Sequence, residues 1–89
     1  MKAVITVVGK DVVGIIATVS NELVKYNVNI VDISQSVFDD IFAMVMMADI
    51  SGCTIPFTSF VDELKALGDR QGLKIHTMHE DIFNSMHKI

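Results

Sequence analysis

Residues 30–50 read IVDISQSVFDDIFAMVMMADI, and the contrast within this stretch decides the fold. Residues 30–38 are mixed, with Asp32, Ser34 and Ser36 on one face, as in a partly exposed strand at a sheet edge. Asp39-Asp40 supplies a turn. Residues 41–50 are apolar on both faces, as a strand covered from both sides must be. A polar edge strand therefore folds back onto a central one.

The same logic extends outward. Residues 2–8 (KAVITVV) are rich in β-branched side chains and apolar on both faces, a second covered strand. Gly9-Lys10-Asp11 breaks it. From Val12 the period lengthens, with Ile15, Val19 and Leu23 in one stripe and Ile16 and Val24 beside it, so a helix follows. Asp11 suits its N-cap and Asn27 a left-handed stop. Beyond residue 50 comes a loop at 51–54, with Pro56 in a first helical turn. Phe57, Phe60, Val61, Leu64 and Leu67 follow helical spacing to about Gln71, where Gly72 caps; Gly68 is an earlier possible end. Residues 73–78 form a short strand, with Leu73, Ile75 and Thr77 on one face and Lys74, His76 and Met78 on the other. Residues 80–89 carry Ile82, Phe83, Met86 and Ile89 at helical spacing. Its acidic first turn and Lys88 suit the helix dipole. A helix of ten residues is marginal alone, so it packs on the domain or on a partner.

The order is β-α-β, β-α-β and a tail helix, in halves of 37 and 38 residues (2–38 and 41–78). Two such units with alternating connectivity describe an α+β, ferredoxin-like βαββαβ sandwich with a four-stranded antiparallel sheet and an extra C-terminal helix. Its central strands are the first and third, the two that read as covered. One domain is expected over 1–89, with a core at 2–78 and the tail helix at 80–89. Both helices lie on one sheet face. The other carries Phe42, Met44 and Met46, or the alternate set, and needs cover from the tail helix or a second subunit.

Composition points the same way. The chain has 89 residues, 51% of them hydrophobic, with a mean hydropathy of +0.47. A domain this small buries only roughly 60–65% of its unfolded surface, so self-association is expected, as a homodimer. Seven Lys+Arg against eleven Asp+Glu give a net charge of −4. With Arg70 the sole arginine and the lysines scattered, no basic face is available for nucleic acid. The apolar run at residues 41–48 is too short to span a bilayer, and residues 3–8 are too short for a signal-peptide core. A single cysteine, Cys53, cannot form an internal disulfide, and a cytoplasmic setting is expected.

The junction Gly9-Lys10-Asp11-Val12-Val13-Gly14-Ile15 joins the first strand to the first helix. Unpaired N–H groups and a partial positive charge at a helix start suit a carboxylate or phosphate, and the two glycines allow close approach. Neither the P-loop nor the dinucleotide pattern is present. The combination Gly9-x-Asp11-x-x-Gly14-Ile15, then Val19-Ser20, Leu23 and Asn27-Val28-Asn29-Ile30, resembles the opening signature of ACT domains. These are small ligand-binding regulatory modules, and the likeness is densest over residues 5–37. Within the family the chain is most similar to short stand-alone ACT proteins related to the glycine cleavage system transcriptional regulator. The resemblance implies an amino acid or similar small ligand at a subunit interface, with Gly9, Asp11, Gly14 and Ile15 on one side and Asn29 and Ile30 opposite. In that arrangement the N–H groups of Gly14 and Ile15 hold an α-carboxylate, Asp11 pairs with an α-ammonium, and the Asn29 amide donates or accepts. Helix capping by Asp11 and a turn role for Asn29 are the plainer structural alternatives.

His76-x-x-His79, with His87 downstream, invites a metal reading, but without a second cysteine or further cluster these read as surface histidines. Cys53 has no visible activating base. An enzyme of this fold, such as an acylphosphatase, would place an arginine in the first strand–helix loop; here that loop holds Lys10. The expectation is a non-catalytic, homodimeric sensor of a small molecule, without cofactor or metal, that signals to an effector protein not named by the sequence. The alternative is a structural or protein-interaction module with no small ligand.

Overall fold

The covered strands become the centre of a four-stranded sheet. The computed structural model describes residues 1–10 and 12–86. Its elements are β1 (Lys2–Gly9), α1 (Val12–Lys25), β2 (Asn29–Phe38), β3 (Ile41–Asp49), α2 (Phe57–Gln71), β4 (Lys74–His79) and α3 (Glu80–Met86). The sheet order is β2-β3-β1-β4, with antiparallel pairing throughout. This is the ferredoxin-like arrangement, followed by the expected C-terminal helix.

Register assigns the faces. Ala3, Ile5 and Val7 pair with Ala48, Met46 and Met44, and all six are buried with Ile15, Val19 and Leu23 of α1 and Phe60, Leu64 and Leu67 of α2. Phe42, Met44 and Met46 thus belong to the helix-covered core. The alternate set, Ala43, Val45 and Met47, faces the other way. On that second face Val4 is only 2% exposed, whereas Val8 and Val45 remain 41% and 43% exposed. The difference is α3, which packs against β1 and β4 and covers part of the face.

Local chemistry sets the element ends. Asn27 adopts φ 60 after α1, and its side-chain amide donates to the Gly52 carbonyl at 3.1 Å. Pro56 stands one position before α2, at the N-cap rather than in the first turn, and its carbonyl accepts the Phe60 N–H at 3.0 Å. Gly72 closes α2 at φ 71 with its N–H on the Gly68 carbonyl; the helix runs through Gly68. The N-cap assigned to Asp11 and the last three residues of the tail helix, 87–89, lie outside the described residues.

Gly68 continues the helix because packing requires its missing side chain. A Cβ there would meet the Leu73 carbonyl oxygen at 2.8 Å and Ile75 Cγ1 at 3.2 Å. Backbone cannot yield as a side-chain tip does, so α2 would be pushed off β4. Gly68→Ala is expected to cost about 1–3 kcal/mol through overpacking despite alanine's better helix propensity. Urea denaturation checks this; an unchanged or higher midpoint would contradict the close helix–strand approach.

Candidate functional site

The β1–α1 junction builds one half of the candidate site. Gly9, the last residue of β1, pairs with Phe42, and a Cβ on it would collide with Leu73 and press on Ile15. Both neighbours are side-chain tips that can shift, so packing favours glycine here without requiring it. Lys10 Nζ lies 3.9 Å from Asp40 Oδ2, an exposed pair that brings the junction toward the β2–β3 turn and contributes little stability in water. In that turn Asp39 adopts φ 59. Gly14 and Ile15 border a shallow cavity of about 60 Å³ with Thr18, Gln71 and Leu73. The Ile15 side chain is buried in the core, so only its backbone can address a ligand. Asp11 lies outside the described residues.

Asn29 and Ile30 fall elsewhere. Asn29 pairs with Asp49, which on its other side pairs with Lys2 at the start of β1. Gly9 ends that strand. Seven residues of β rise separate the two ends by about 23 Å, in addition to the lateral offset of β3. Within one chain the two groups of candidate residues stand at opposite ends of the sheet. Both Asn29 and Ile30 are exposed.

Sequence reading did not single out Thr18, Gln71 or Leu73 as lining residues. Leu73 is the informative one, since it touches the Gly9 position, the small cavity and a larger groove. That groove, about 620 Å³, runs along β4 and is bordered by Val61, Lys65, Asp69, Leu73 and His76 among others. No sequence pattern marks it, because its walls come from α2, β4 and β1 and meet only after folding.

The histidines part company. His76 pairs with Thr6 and His79 with Ala3, so they occupy opposite faces of the sheet. His79 Nδ1 accepts the Asp81 N–H at 3.1 Å, capping α3, and its ring meets Phe57 edge-on at 5.9 Å. His87 lies outside the described residues. Among the described residues no three His, Cys, Asp or Glu side chains converge as metal ligands, and no helix is long and apolar enough to cross a membrane. Cys53 is half-buried and free. Among the described residues Asp49 is the one carboxyl clearly held below the usual range: the Ser51 N–H donates to its Oδ1 at 2.9 Å, and Ser51 Oγ and the chain's α-ammonium also favour the anion. These contacts tie the start of β1 to the end of β3 and are not part of a reactive group.

Two helices on one face of a β2-β3-β1-β4 sheet, with a glycine-bordered turn leading into the first helix, define a ferredoxin-like α+β module. The family model for the ACT domain matches residues 2–78, and the chain belongs to the ACT domain family. A UPF0237 protein of Listeria innocua is 52% identical over the full length of both chains. An ACT domain protein from Streptococcus pneumoniae superposes with a TM-score of 0.82 at 42% identity, covering 93% of each chain. A putative glycine cleavage system transcriptional repressor superposes with a TM-score of 0.69 at 26% identity, over 86% of this chain and 44% of that one.

Proposed function

We propose that this protein is a non-catalytic, cytoplasmic regulatory module, a single domain over 1–89, that binds an amino acid at a homodimer interface and signals to an effector protein. The observation carrying this reading is the separation of the two groups of site residues. They cannot contact one ligand within a protomer, whereas a two-fold axis beside β2 would bring them to the same end of the joined sheet, about three strand spacings (~14 Å) apart, with the ligand between them. If the two β2 strands pair antiparallel, the start of one lies beside the end of the other. The partner's residues 29–30 then approach Phe38, Ile41 and the junction after Gly9.

The surface of β2 supports that axis. All ten of its residues are exposed, including Ile33, Val37 and Phe38, so a long and half-apolar strand edge is open to pairing with a second copy. In the proposed site Gly14 and Ile15 N–H groups receive the α-carboxylate, Asp11 pairs with the α-ammonium, Gly9 permits the approach, and Asn29 and Ile30 complete the far wall. The solved ACT domain protein and the glycine cleavage repressor neighbour favour regulation over catalysis. Arg70 stands in the last turn of α2, not in the junction where an acylphosphatase-type chemistry would need it.

A thermal-shift screen of the amino acids tests the reading. A ligand at 100-fold its Kd should add about 2.7 kcal/mol, and Asn29→Ala should abolish the shift while leaving the unliganded melting temperature in place. A screen in which no amino acid stabilises the protein would favour the ligand-free interaction module instead.

A further inference from the structure

The bulge in β2 has a chemical consequence on the sheet face away from α1 and α2. Ile30 pairs with Ala48, but the register then shifts, so that Asp32 pairs with Met47 and Ser34 with Val45. Unbroken alternation from Ile30 would set Asp32 opposite Met46 and Ser34 opposite Met44, under the helices. The extra residue, Val31, therefore delivers a carboxylate and a hydroxyl to the second face. Bulges interrupt a ladder and re-aim side chains in this way.

Asp32 and Ser34 border a cavity of about 140 Å³ whose apolar walls include Val4, Val45, Met47 and Phe83 of α3. Among the described residues, Asp32 is the only charged one that lines it. Its Oδ1 accepts the Ile33 N–H at 2.9 Å, which holds the carboxylate in place, and it joins none of the ion pairs among the described residues. One oriented negative charge, one hydroxyl and a wall of apolar side chains match a particular chemistry.

We propose that this cavity is a second binding site, specific for a small organic ammonium without a carboxylate. Its apolar body lies against Val4, Val45, Met47 and Phe83, and its ammonium donates to Asp32 and Ser34. The volume suits a body about the size of benzene, which occupies engineered cavities of about 150 Å³. A free amino acid is excluded because its own carboxylate would be brought against Asp32. The site lies across the sheet from Gly14 and Ile15, on the open face of the same β2 strand that carries the proposed dimer axis, and its ligand is chemically distinct from the interfacial one.

The test is an NMR titration of the full chain with benzylamine, benzyl alcohol and phenylalanine as probes, following backbone amides. Benzylamine is expected to perturb Asp32, Ser34, Val45 and Phe83 and to bind at least tenfold more tightly than benzyl alcohol. Asp32→Asn, an exposed and near-isosteric change, should erase that preference while leaving the weak apolar binding of the alcohol. Phe83→Ala should weaken both, and Asp32→Asn alone decides the matter if α3 is disturbed. Perturbations that map elsewhere, equal binding of amine and alcohol, or a preference that survives Asp32→Asn would overturn the proposal. So would phenylalanine acting on the same residues as strongly as benzylamine.

Discussion

Phe60→Ala is expected to destabilise the fold by about 3–5 kcal/mol, the range for truncating a fully buried phenylalanine. Phe60 is 0% exposed, meets Tyr26 edge-on with ring centroids 6.2 Å apart, and lies against Phe57 at 6.5 Å. It joins α2 to the chain just after α1, where neighbouring groups cannot close a phenyl-sized void without moving both helices. For a domain of this size each kcal/mol is worth about 4–8 °C in Tm. Since typical domains have only about 5–15 kcal/mol in total, the variant should melt at least 12 °C lower or fail to fold at physiological temperature. Circular dichroism against temperature and urea measures it. A loss below 1 kcal/mol would contradict the packing of α2 on this core.

The second large effect concerns association. Under the proposed interface, the double substitution Ile33→Lys and Val37→Lys should convert a particle of about twice 9.8 kDa into a monomer. Val37 is 61% exposed, so its lysine costs the isolated protomer little. Two copies across a two-fold axis would bring four ammonium groups into a strand–strand contact that excludes water, and burying unpaired charges costs several kcal/mol. Light scattering reads the mass, and the thermal-shift assay should show the amino-acid response disappearing with the dimer. A wild-type mass near 10 kDa would remove the interface outright. A monomeric variant that still responded fully to the ligand would place the site within one protomer.

These two experiments probe features of unequal legibility. The core stripe of α2 is visible in the sequence, since Phe57, Phe60, Val61, Leu64 and Leu67 recur at helical spacing and Gly72 supplies the left-handed cap. The central positions of β1 and β3 are also visible, because strands covered on both faces must be apolar on both. Which methionines face the helices was not legible. Residues 42–48 are apolar at every position, so the pattern fits either phase, and the pairing of Met44 with Val7 and Met46 with Ile5 is what selects one. The candidate site divides similarly. Its glycines and asparagine can be picked out in the chain, but their placement at opposite ends of the sheet depends on the directions of β1 and β2.

The amino-acid sequence by itself determined the elements, their order, the fold class and the family, because each rests on local periodicity, turn chemistry and short motifs. Only the tertiary structure decided the phase of β3, the cover that α3 gives Val4, the packing reason for Gly68, and the face to which the β2 bulge turns Asp32. Each of these depends on strand register or on contacts between residues far apart in the chain. Such quantities change with a one-residue slip that leaves composition and hydrophobic content unaltered.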